Sequence, residues 1–215
     1  MYVPPHFSET RPEAIHQLLR DHPLGILVTR TTTGELDANH LPLELILDGS
    51  TLGTLRGHVS KANPVWQQSA LESEVLAIFQ GPQRYISPGW YATKKETGKV
   101  VPTWNYAVVH AYGIMRIIED QIWLQQLVEK LTTRHEASRL QPWKTSDAPH
   151  HYIQSQLQGI VGIEIPISRW IGKWKMNQNR PEVDRESVMD ALADQEDFDS
   201  RLMRDWMLKQ RSEHE

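Results

Sequence analysis

Residues 104–114 alternate between two sets of side chains, and this period-two pattern most constrains the fold. One face of the segment carries large residues, namely Trp104, Tyr106, Val108, His110, Tyr112 and Ile114. The other face carries smaller ones, namely Asn105, Ala107, Val109, Ala111 and Gly113. Alternation is typical of a β-strand, in which successive side chains point to opposite faces. The small residues indicate that another part of the molecule packs closely against that side.

Other segments predict further strands and a few helices. Apolar or alternating runs predict strands over 24–29, 36–47, 51–59, 74–80 and 159–167. Apolar residues at helical spacing predict helices over 119–140 and from about 183 onward, with short helices after a capping box at 10–13 and over 149–157. The segment 81–103 is predicted to be irregular. Six antiparallel strands with helices outside them predict a mainly β, α+β protein built as a small closed or partly open barrel.

The lack of cysteine removes several classes of function. The chain has 215 residues, no cysteine and a formal net charge of -4. Disulfides, thiolate metal sites and cysteine nucleophiles are therefore excluded. No metal-binding motif, glycine-rich strand-to-helix turn or nucleophile elbow is present, so we expect no metal site and find no support for Rossmann, P-loop or hydrolase functions. With no signal-peptide pattern and no run of about 18 apolar residues, we expect a soluble cytoplasmic protein.

Charge is unevenly distributed along the chain. Residues 181–215 contain eleven Asp or Glu and five Arg or Lys, whereas residues 1–180 carry a net charge of +2. We therefore expect a barrel domain over 1–180 and a charged helical extension over 181–215, packed on the barrel or on a second subunit. Neither part has the basic stripe of a protein that contacts many DNA phosphates, so DNA as a partner has weak support.

A polar turn after the third predicted strand is a candidate phosphate site. It contains His58, Ser60, Lys61, Ala62 and Asn63, and a short helix is expected to follow it. The Ser60 hydroxyl and the Asn63 amide can donate hydrogen bonds, Lys61 adds a positive charge, and a helix N-terminus favours anions. The alternative is a helix cap made by Ser60 or Asn63, with Lys61 in solvent. From spacing alone, the cap is the more common arrangement.

The segment Asn39, His40, Leu41 and Pro42 lies inside the second predicted strand. Because proline has no N–H for the ladder, we expect a sheet edge or a bulge there. A bulge exposes backbone amides that can contact the edge of a flavin or nucleotide ring. Protection of the edge against aggregation is the alternative.

Two more segments are candidates for ligand or partner contacts. Residues 80–106 are rich in aromatic residues and proline without regular periodicity, which fits a subunit interface and also a wall for a flavin or a haem. Residues 172–180 form a polar and cationic run that ends at Arg180. An exposed basic linker is the alternative for this run.

Several short blocks, in order along the chain, resemble the PaiB family. They are M-Y-V-P-P-H-F at 1–7, G-H-V-S-K-A-N-P at 57–64, F-Q-G-P at 79–82, Y-I-S-P-G-W-Y at 85–91, V-P-T-W-N-Y at 101–106 and K-x-N-Q-N-R at 175–180. Agreement of multi-residue blocks in the same order makes the resemblance specific. It covers residues 1 to about 190, and the acidic tail is its least characteristic part.

The resemblance implies the split β-barrel shared with flavin reductases and pyridoxamine-phosphate oxidases. It also implies a homodimer with two FMN sites at the subunit interface. Members of this family are described as FMN-binding negative transcriptional regulators, that is, repressors. The architecture to expect is therefore a six-stranded antiparallel FMN-binding split barrel with peripheral helices.

The resemblance also implies roles for individual residues. In the wider superfamily a Ser-x-Lys-like element holds the FMN phosphate, and the matching positions here are His58, Ser60, Lys61, Ala62 and Asn63, although Ser60 and Lys61 are adjacent. Residues 39–42 are expected near the flavin ring. The facing protomer is expected to contribute Tyr85, Trp104 and Asn105, with Arg180 as a further FMN contact.

Two other functions stay open alongside the regulator. In one, the protein is an FMN-dependent oxidoreductase that acts on a small molecule, with the cofactor supplying the chemistry. In the other, the split barrel binds or degrades haem. The regulator interpretation is preferred and no catalytic residue is assigned, so an enzyme is not the expectation.

Overall fold

The computed structural model describes residues 1–47, 49–69 and 73–212. The strands in this part of the chain are β1 (Ser8–Glu9), β2 (Leu24–Arg30), β3 (Leu36–Pro42), β4 (Glu44–Ile46), β5 (Thr54–Ser60), β6 (Glu74–Ile86), β7 (Thr103–Ile114), β8 (Arg116–Ile118) and β9 (Ile160–Lys175). The α-helices are α1 (Pro12–Asp21), α2 (Val65–Gln68), α3 (Lys94–Thr97), α4 (Gln121–Glu136), α5 (His150–Gln158), α6 (Glu182–Ala193) and α7 (Phe198–Ser212).

The strands derive from six longer runs of extended chain. Leu43 alone separates β3 from β4, Met115 alone separates β7 from β8, and β1 adds two residues beside β9. The order along the sheet is β3-β2-β6-β7-β9-β5-β4. Because β3 and β4 belong to one continuous run, the two ends of this order meet in the chain. The six-stranded antiparallel barrel predicted from the sequence is therefore confirmed.

The run that contains β3 and β4 changes its partner strand at Pro42 and Leu43. β3 pairs with β2, whereas β4 pairs with β5, both antiparallel. Leu43 is fully buried, and its N–H donates to the Pro23 carbonyl oxygen at 2.8 Å. Gly57 of β5 faces this corner so closely that a Cβ there would lie 2.8 Å from the Pro42 carbonyl oxygen. Pro42 thus ends a strand at a corner of the barrel.

The chain divides into two compact units. The first unit comprises residues 1–18, 80–109 and the segment from 171 on, and the second comprises residues 19–79 and 110–170. In the second unit, β5 pairs with β9 over its whole length, and β8 pairs with the other side of β9. The core of this unit consists of fully buried apolar side chains, among them Leu27, Leu43, Leu55, Phe79, Leu124 and Ile163.

In the first unit, α7 packs on β9, and α6 contacts the segment just before α3. The Trp206 ring of α7 lies 5.8 Å from the Trp174 ring of β9, measured between centroids. Asp184 of α6 is buried and accepts hydrogen bonds from the Thr93 N–H at 2.9 Å and the Thr93 hydroxyl at 2.8 Å. The proposed division of the chain at residue 180 stays a prediction.

The alternation in β7 agrees with the sequence pattern. The smaller set, from Asn105 to Gly113, is buried throughout, whereas Trp104 and Ile114 at the two ends of the other set are exposed. Gly113 is required because a Cβ at this position would overlap the Pro166 carbonyl oxygen. Close packing on the small face, as predicted, is therefore present at this end of the strand.

The structure differs from the sequence-based prediction over 81–103. β6 continues through Gly81 and Pro82 to Ile86, and only the rest of the segment is irregular or forms short helical turns. Gly81 and Pro82 are consecutive and both buried, so they break the period-two pattern from which a strand is predicted. The prediction of an irregular segment was wrong for residues 81–86.

Two features are absent from the described residues, a membrane-spanning helix and a cluster of metal-binding side chains. No helix in residues 1–47, 49–69 and 73–212 is long and apolar enough to cross a lipid bilayer. In the same residues, no group of three or more His, Cys, Asp or Glu side chains is arranged to hold a metal ion.

Candidate functional site

A cleft in the second unit lies where β5 ends and β9 begins. Antiparallel pairing places Ser60 opposite Ile160, and the Lys61 N–H donates to the Gly159 carbonyl oxygen at 2.9 Å. The cleft has a volume of about 540 Å³, within the range of about 300–1,000 Å³ typical of ligand sites. Its lining consists of Leu41, His58, Val59, Ser60, Asn63, Ser155, Gln156, Gly159 and Ile160.

The polar turn after β5 is held by its own backbone. The Asn63 N–H donates to the Ser60 carbonyl oxygen at 2.9 Å, and the Ala62 N–H donates to the Ser60 hydroxyl oxygen at 3.2 Å. The side chains of Ser60 and Lys61 are exposed. Among the ion pairs of the described residues, none includes Lys61. The turn therefore presents a hydroxyl and an uncompensated ammonium group to solvent.

The Asn63 side chain connects this turn to β3 by a hydrogen bond. Its amide nitrogen donates to the Asn39 side-chain oxygen at 2.7 Å, and its amide oxygen accepts from the Val65 N–H at 2.9 Å. Asn39 in turn donates to the Asp37 carboxylate at 2.8 Å. Asn63 thus closes a turn just before α2, whose N-cap is Pro64 without a side-chain cap, and also fixes Asn39 beside the phosphate candidates.

The helix that follows the turn is too short to attract an anion by its dipole. α2 contains four residues, whereas a helix dipole develops over several aligned turns. Any phosphate at this turn would therefore depend on Ser60 and Lys61 rather than on a helix N-terminus.

His58 contributes an unsatisfied polar atom to the wall of the cleft. Its Nδ1 is buried and has no hydrogen-bond partner among the described residues. Burial lowers the pKa of His58 from its ordinary value of 6.5, so the imidazole is neutral at pH 7. A neutral imidazole offers one donor and one acceptor nitrogen. The side chain can therefore bond to a ligand polar group without adding charge.

The four candidate flavin contacts of β3 lie on two opposite faces of the strand. Asn39 and Leu41 lie on the face that meets the cleft residues, since Asn39 contacts Asn63 and Leu41 lines the cleft. His40 and Pro42 are exposed and alternate with them on the opposite face. Only Asn39 and Leu41 are brought together with the residues of the polar turn.

The other four candidates lie in the first unit. Tyr85 and Trp104 are 44% and 53% exposed, and their ring centroids are 6.1 Å apart in an edge-to-face arrangement. Asn105 is fully buried, where its amide nitrogen donates to the Met207 sulfur at 3.6 Å. The Arg180 guanidinium lies over the Tyr91 ring, 4.8 Å from its centroid.

Besides Val59 of β5, four residues of the cleft were not predicted from the sequence. They are Ser155, Gln156, Gly159 and Ile160, which come from the end of α5 and the start of β9. The sequence signals the helix, the glycine and the buried strand separately. It does not signal the β5–β9 register that brings them to Ser60.

Comparison with known proteins identifies the family. Residues 1–169 match the family described as "Putative FMN-binding domain". The "Protease synthase and sporulation protein PAI 2" of Bacillus subtilis is 33% identical over 210 residues, which cover 96% of each chain. The chain belongs to the PaiB family of FMN-binding proteins.

Two further proteins, one fungal and one bacterial, are similar to this chain. An uncharacterized Emericella nidulans protein, AN0679, is 39% identical over 226 residues, covering 89% of this chain and 90% of the other. The FAD and heme binding protein from Mycobacterium smegmatis superposes with a TM-score of 0.57 at 15% identity, covering 85% of this chain and 79% of the other. At this identity the structural match shows a shared fold alone.

The cleft suits the FMN that PaiB-family proteins bind. An FMN phosphate needs hydrogen-bond donors and positive charge, which the exposed Ser60 and Lys61 side chains supply. An isoalloxazine ring has an apolar face and polar edge atoms, for which Leu41 and the unpartnered Nδ1 of His58 are suitable. The residues present therefore fit FMN.

Proposed function

We propose that the chain binds FMN in the cleft between the ends of β5 and β9, as part of a homodimer, and acts as a flavin-dependent regulator. One observation carries the FMN assignment: the Ser60 hydroxyl and the uncompensated Lys61 ammonium lie beside a cleft whose wall includes the unpartnered Nδ1 of His58. In this assignment, Ser60 and Lys61 bind the phosphate. Leu41 and His58 contact the ring, and Asn63 positions Asn39.

The remaining candidates have different support. Ala62 would take part through its position in the turn, since its N–H already bonds to Ser60. His40 and Pro42 stay predictions, because their side chains are exposed on the opposite face of β3. From the facing protomer, the exposed Tyr85 and Trp104 rings suit a wall for the flavin. Asn105 is buried beneath Met207, so we assign it to the support of that wall.

The FMN assignment is tested by titration with FMN and with riboflavin, which lacks the phosphate. We expect a shifted and quenched flavin spectrum with one FMN per chain. Lys61→Gln should weaken FMN binding by about tenfold, as expected for the loss of one hydrogen bond to a charged group, and leave riboflavin binding unchanged. Lys99→Gln, which removes another exposed lysine, serves as the matched control.

Two outcomes would contradict this assignment. If the wild-type protein shows no spectral change at high micromolar FMN, the cleft is not a flavin site. If Lys61→Gln weakens the binding of riboflavin as much as the binding of FMN, then Lys61 does not bind the phosphate.

The regulatory role is supported by the similarity to the PAI 2 sporulation protein of Bacillus subtilis. The chain has a net charge of -4 and no basic stripe, so we propose that regulation proceeds through the ligand rather than through direct contact with DNA. Fluorescence anisotropy with labelled promoter duplexes is the test. Tight, salt-sensitive and sequence-selective binding by the purified dimer would contradict an indirect role. The cytoplasmic location expected from the sequence stays a prediction.

An FMN-dependent oxidoreductase is the second candidate, favoured by the exposed Tyr85 and Trp104 rings as a place for a small molecule. The name of the Mycobacterium smegmatis protein with the shared fold makes haem a further ligand to test. The absorbance spectrum of the protein as isolated distinguishes flavin from haem. Steady consumption of a reductant by the FMN-loaded protein would favour the enzyme over the regulator.

A further inference from the structure

Two lysines project from one face of β9 in the first unit. Lys173 and Lys175 are two positions apart, so they share a face of the strand, and both are half-buried. The Lys175 ammonium donates to the Thr103 hydroxyl and, at 3.0 Å, to the Trp104 carbonyl oxygen. The Lys173 ammonium donates to the Tyr2 carbonyl oxygen at 3.1 Å and lies 5.3 Å from the centroid of the Tyr106 ring. Both ammonium groups are therefore held in place by neutral groups.

Each lysine retains hydrogen-bonding capacity. An ammonium group has three N–H donors, of which Lys173 uses one and Lys175 uses two in the contacts above. In the part of the chain that the structure describes, no ion pair involves Lys173, Lys175 or Arg180. Asp184, a carboxylate near Tyr91, is engaged by Thr93. The positive charges of this cluster are thus not neutralised by the protein.

The cations also act on one another. The pKa of Lys175 is lowered, first by burial and then by the positive charges of Lys173 and Arg180. Mutual repulsion of this kind is relieved when an anion binds among the cations. Close to Arg180, the buried Asn177 side chain faces the Tyr91 hydroxyl rather than the two lysines.

An apolar surface adjoins the two lysines. A shallow depression of about 360 Å³ is lined by Gln80, Gln83, Trp104, Tyr106 and Val108. Trp104 and Tyr106 belong both to this depression and to the contacts of Lys175 and Lys173. A planar ring on Trp104 would therefore lie within reach of the ammonium groups. Aromatic side chains next to cations are suited to a ligand that combines a ring with a negative charge.

We propose that this surface, formed by Lys173, Lys175 and Arg180 with the Trp104–Tyr106 wall, binds an aromatic phosphate monoester of the nucleotide type, separate from the FMN in the Ser60 cleft. A phosphate monoester carries a charge of about -1.5 to -2 at pH 7, which matches a cluster of three cations better than a single carboxylate does. The phosphate lies against Lys173 and Lys175, and the ring lies on Trp104. Arg180, expected from the resemblance as an FMN contact, is assigned here to the second site, where it strengthens the positive potential.

This inference rests on the proposed function at one point, because Trp104 is also assigned to the wall of the flavin. The second ligand would then lie next to the flavin of the facing protomer. That position gives the site a role in either regulation or redox chemistry. In both cases the protein recognises the ligand through the ligand's aromatic ring and its phosphate.

The test is isothermal titration calorimetry of the FMN-loaded protein with AMP, adenosine and inorganic phosphate. AMP should bind more tightly than adenosine, which lacks the phosphate, and more tightly than phosphate, which lacks the ring. Lys175→Gln and Lys173→Gln should each weaken the binding of AMP by at least about tenfold, which is the effect of losing a charged hydrogen bond. Neither substitution should change the affinity for FMN. Lys175→Arg should retain most of the binding, and Lys99→Gln should retain all of it.

Two results would overturn the proposal. One is the failure of the wild-type protein to bind AMP, with or without FMN. The other is a loss of FMN affinity in Lys175→Gln as large as in Lys61→Gln, together with displacement of FMN by AMP. That result would assign the lysines to the FMN phosphate. If the protein binds AMP through Lys175 but never binds FMN, the proposed function fails while the second site stands.

Discussion

At the residue scale, His58 differs from the other polar residues of the cleft. Ser60 and Asn63 have hydrogen-bond partners within the turn, whereas Nδ1 of His58 is buried without one among the described residues. A buried polar atom without a partner destabilises the folded state unless a ligand satisfies it. His58 is thus well placed to bind a ligand.

The burial of His58 predicts how stability depends on pH. Because its pKa is lowered in the folded state from 6.5, the unfolded chain binds more protons as pH falls through that value. Neutral His58 contributes to the free energy of unfolding above pH 6.5, and this contribution is lost as the pH falls towards the pKa of His58 in the folded state. We expect the melting temperature of His58→Gln to fall less than that of the wild type between pH 7.5 and pH 5.5.

His151→Gln is the control for this experiment, because His151 is exposed on α5. The pH dependence of the control should match that of the wild type. An equal loss of melting temperature in His58→Gln and the wild type would show that another group governs the acid sensitivity.

At the element scale, closure of the barrel depends on how closely β5 approaches the corner between β3 and β4. A Cβ at Gly57 would lie 2.8 Å from both the Pro42 carbonyl oxygen and the Leu43 side chain. The carbonyl belongs to the backbone and cannot move away independently. We expect Gly57→Ala to lower the free energy of unfolding by about 1–3 kcal/mol, the usual effect of overpacking, as measured by urea denaturation.

Gly89→Ala is the matched control for this substitution. The nearest atom to a Cβ at Gly89 is the Ser87 hydroxyl oxygen at 3.4 Å, which is an ordinary contact. The control should change stability by less than about 0.5 kcal/mol, as is usual for surface positions. Equal effects of the two substitutions would mean that the corner tolerates a shift of β5.

Elements with a strong local signal were predictable from the sequence. The alternation in β7 and the apolar spacing in α1 and α4 depend only on neighbouring residues. The extension of β6 to Ile86 was not predictable, because Gly81 and Pro82 interrupt the pattern and tertiary packing buries both. Similarly, Pro42 indicated an irregularity in the strand, but a corner between two partner strands depends on β5, which lies further along the chain.

The same distinction applies to the site. The polar turn from His58 to Asn63 was predictable because its residue types follow a strand directly. The residues at the end of α5 were not predictable, since only the long-range register of β5 with β9 places them in the cleft. Lys173 and Lys175 were visible as a cationic run, but their shared aromatic wall depends on the pairing of β7 with β9.

At the scale of the whole molecule, the exposed aromatic surface predicts the oligomeric state. Trp104 is 53% exposed and Tyr85 is 44% exposed in the first unit, and large exposed aromatic residues are enriched in the centres of protein interfaces. We expect a homodimer by size-exclusion chromatography with light scattering. Tyr85→Glu should weaken the dimer by at least roughly 30-fold, as for a hot-spot residue of about 2 kcal/mol.

Trp143→Glu provides the comparison for this prediction, since Trp143 is 44% exposed and lies outside the proposed interface. It should leave the dimer unchanged. If both variants stay dimeric, or if the wild type is a monomer at micromolar concentration, then the surface of Tyr85 and Trp104 does not hold two chains together.

The position of the cleft couples ligand binding to completion of folding. Its two sides, Ser60 and Ile160, are about 100 positions apart in sequence and meet only through the β5–β9 register. Such long-range pairs form slowly because the intervening chain must be ordered first. An incompletely folded chain therefore has no cleft to fill, so under the proposed assignment flavin binds the native state alone. Each tenfold rise in free flavin above its dissociation constant then stabilises that state by about 1.4 kcal/mol, and cellular flavin supply becomes a determinant of how much folded protein persists.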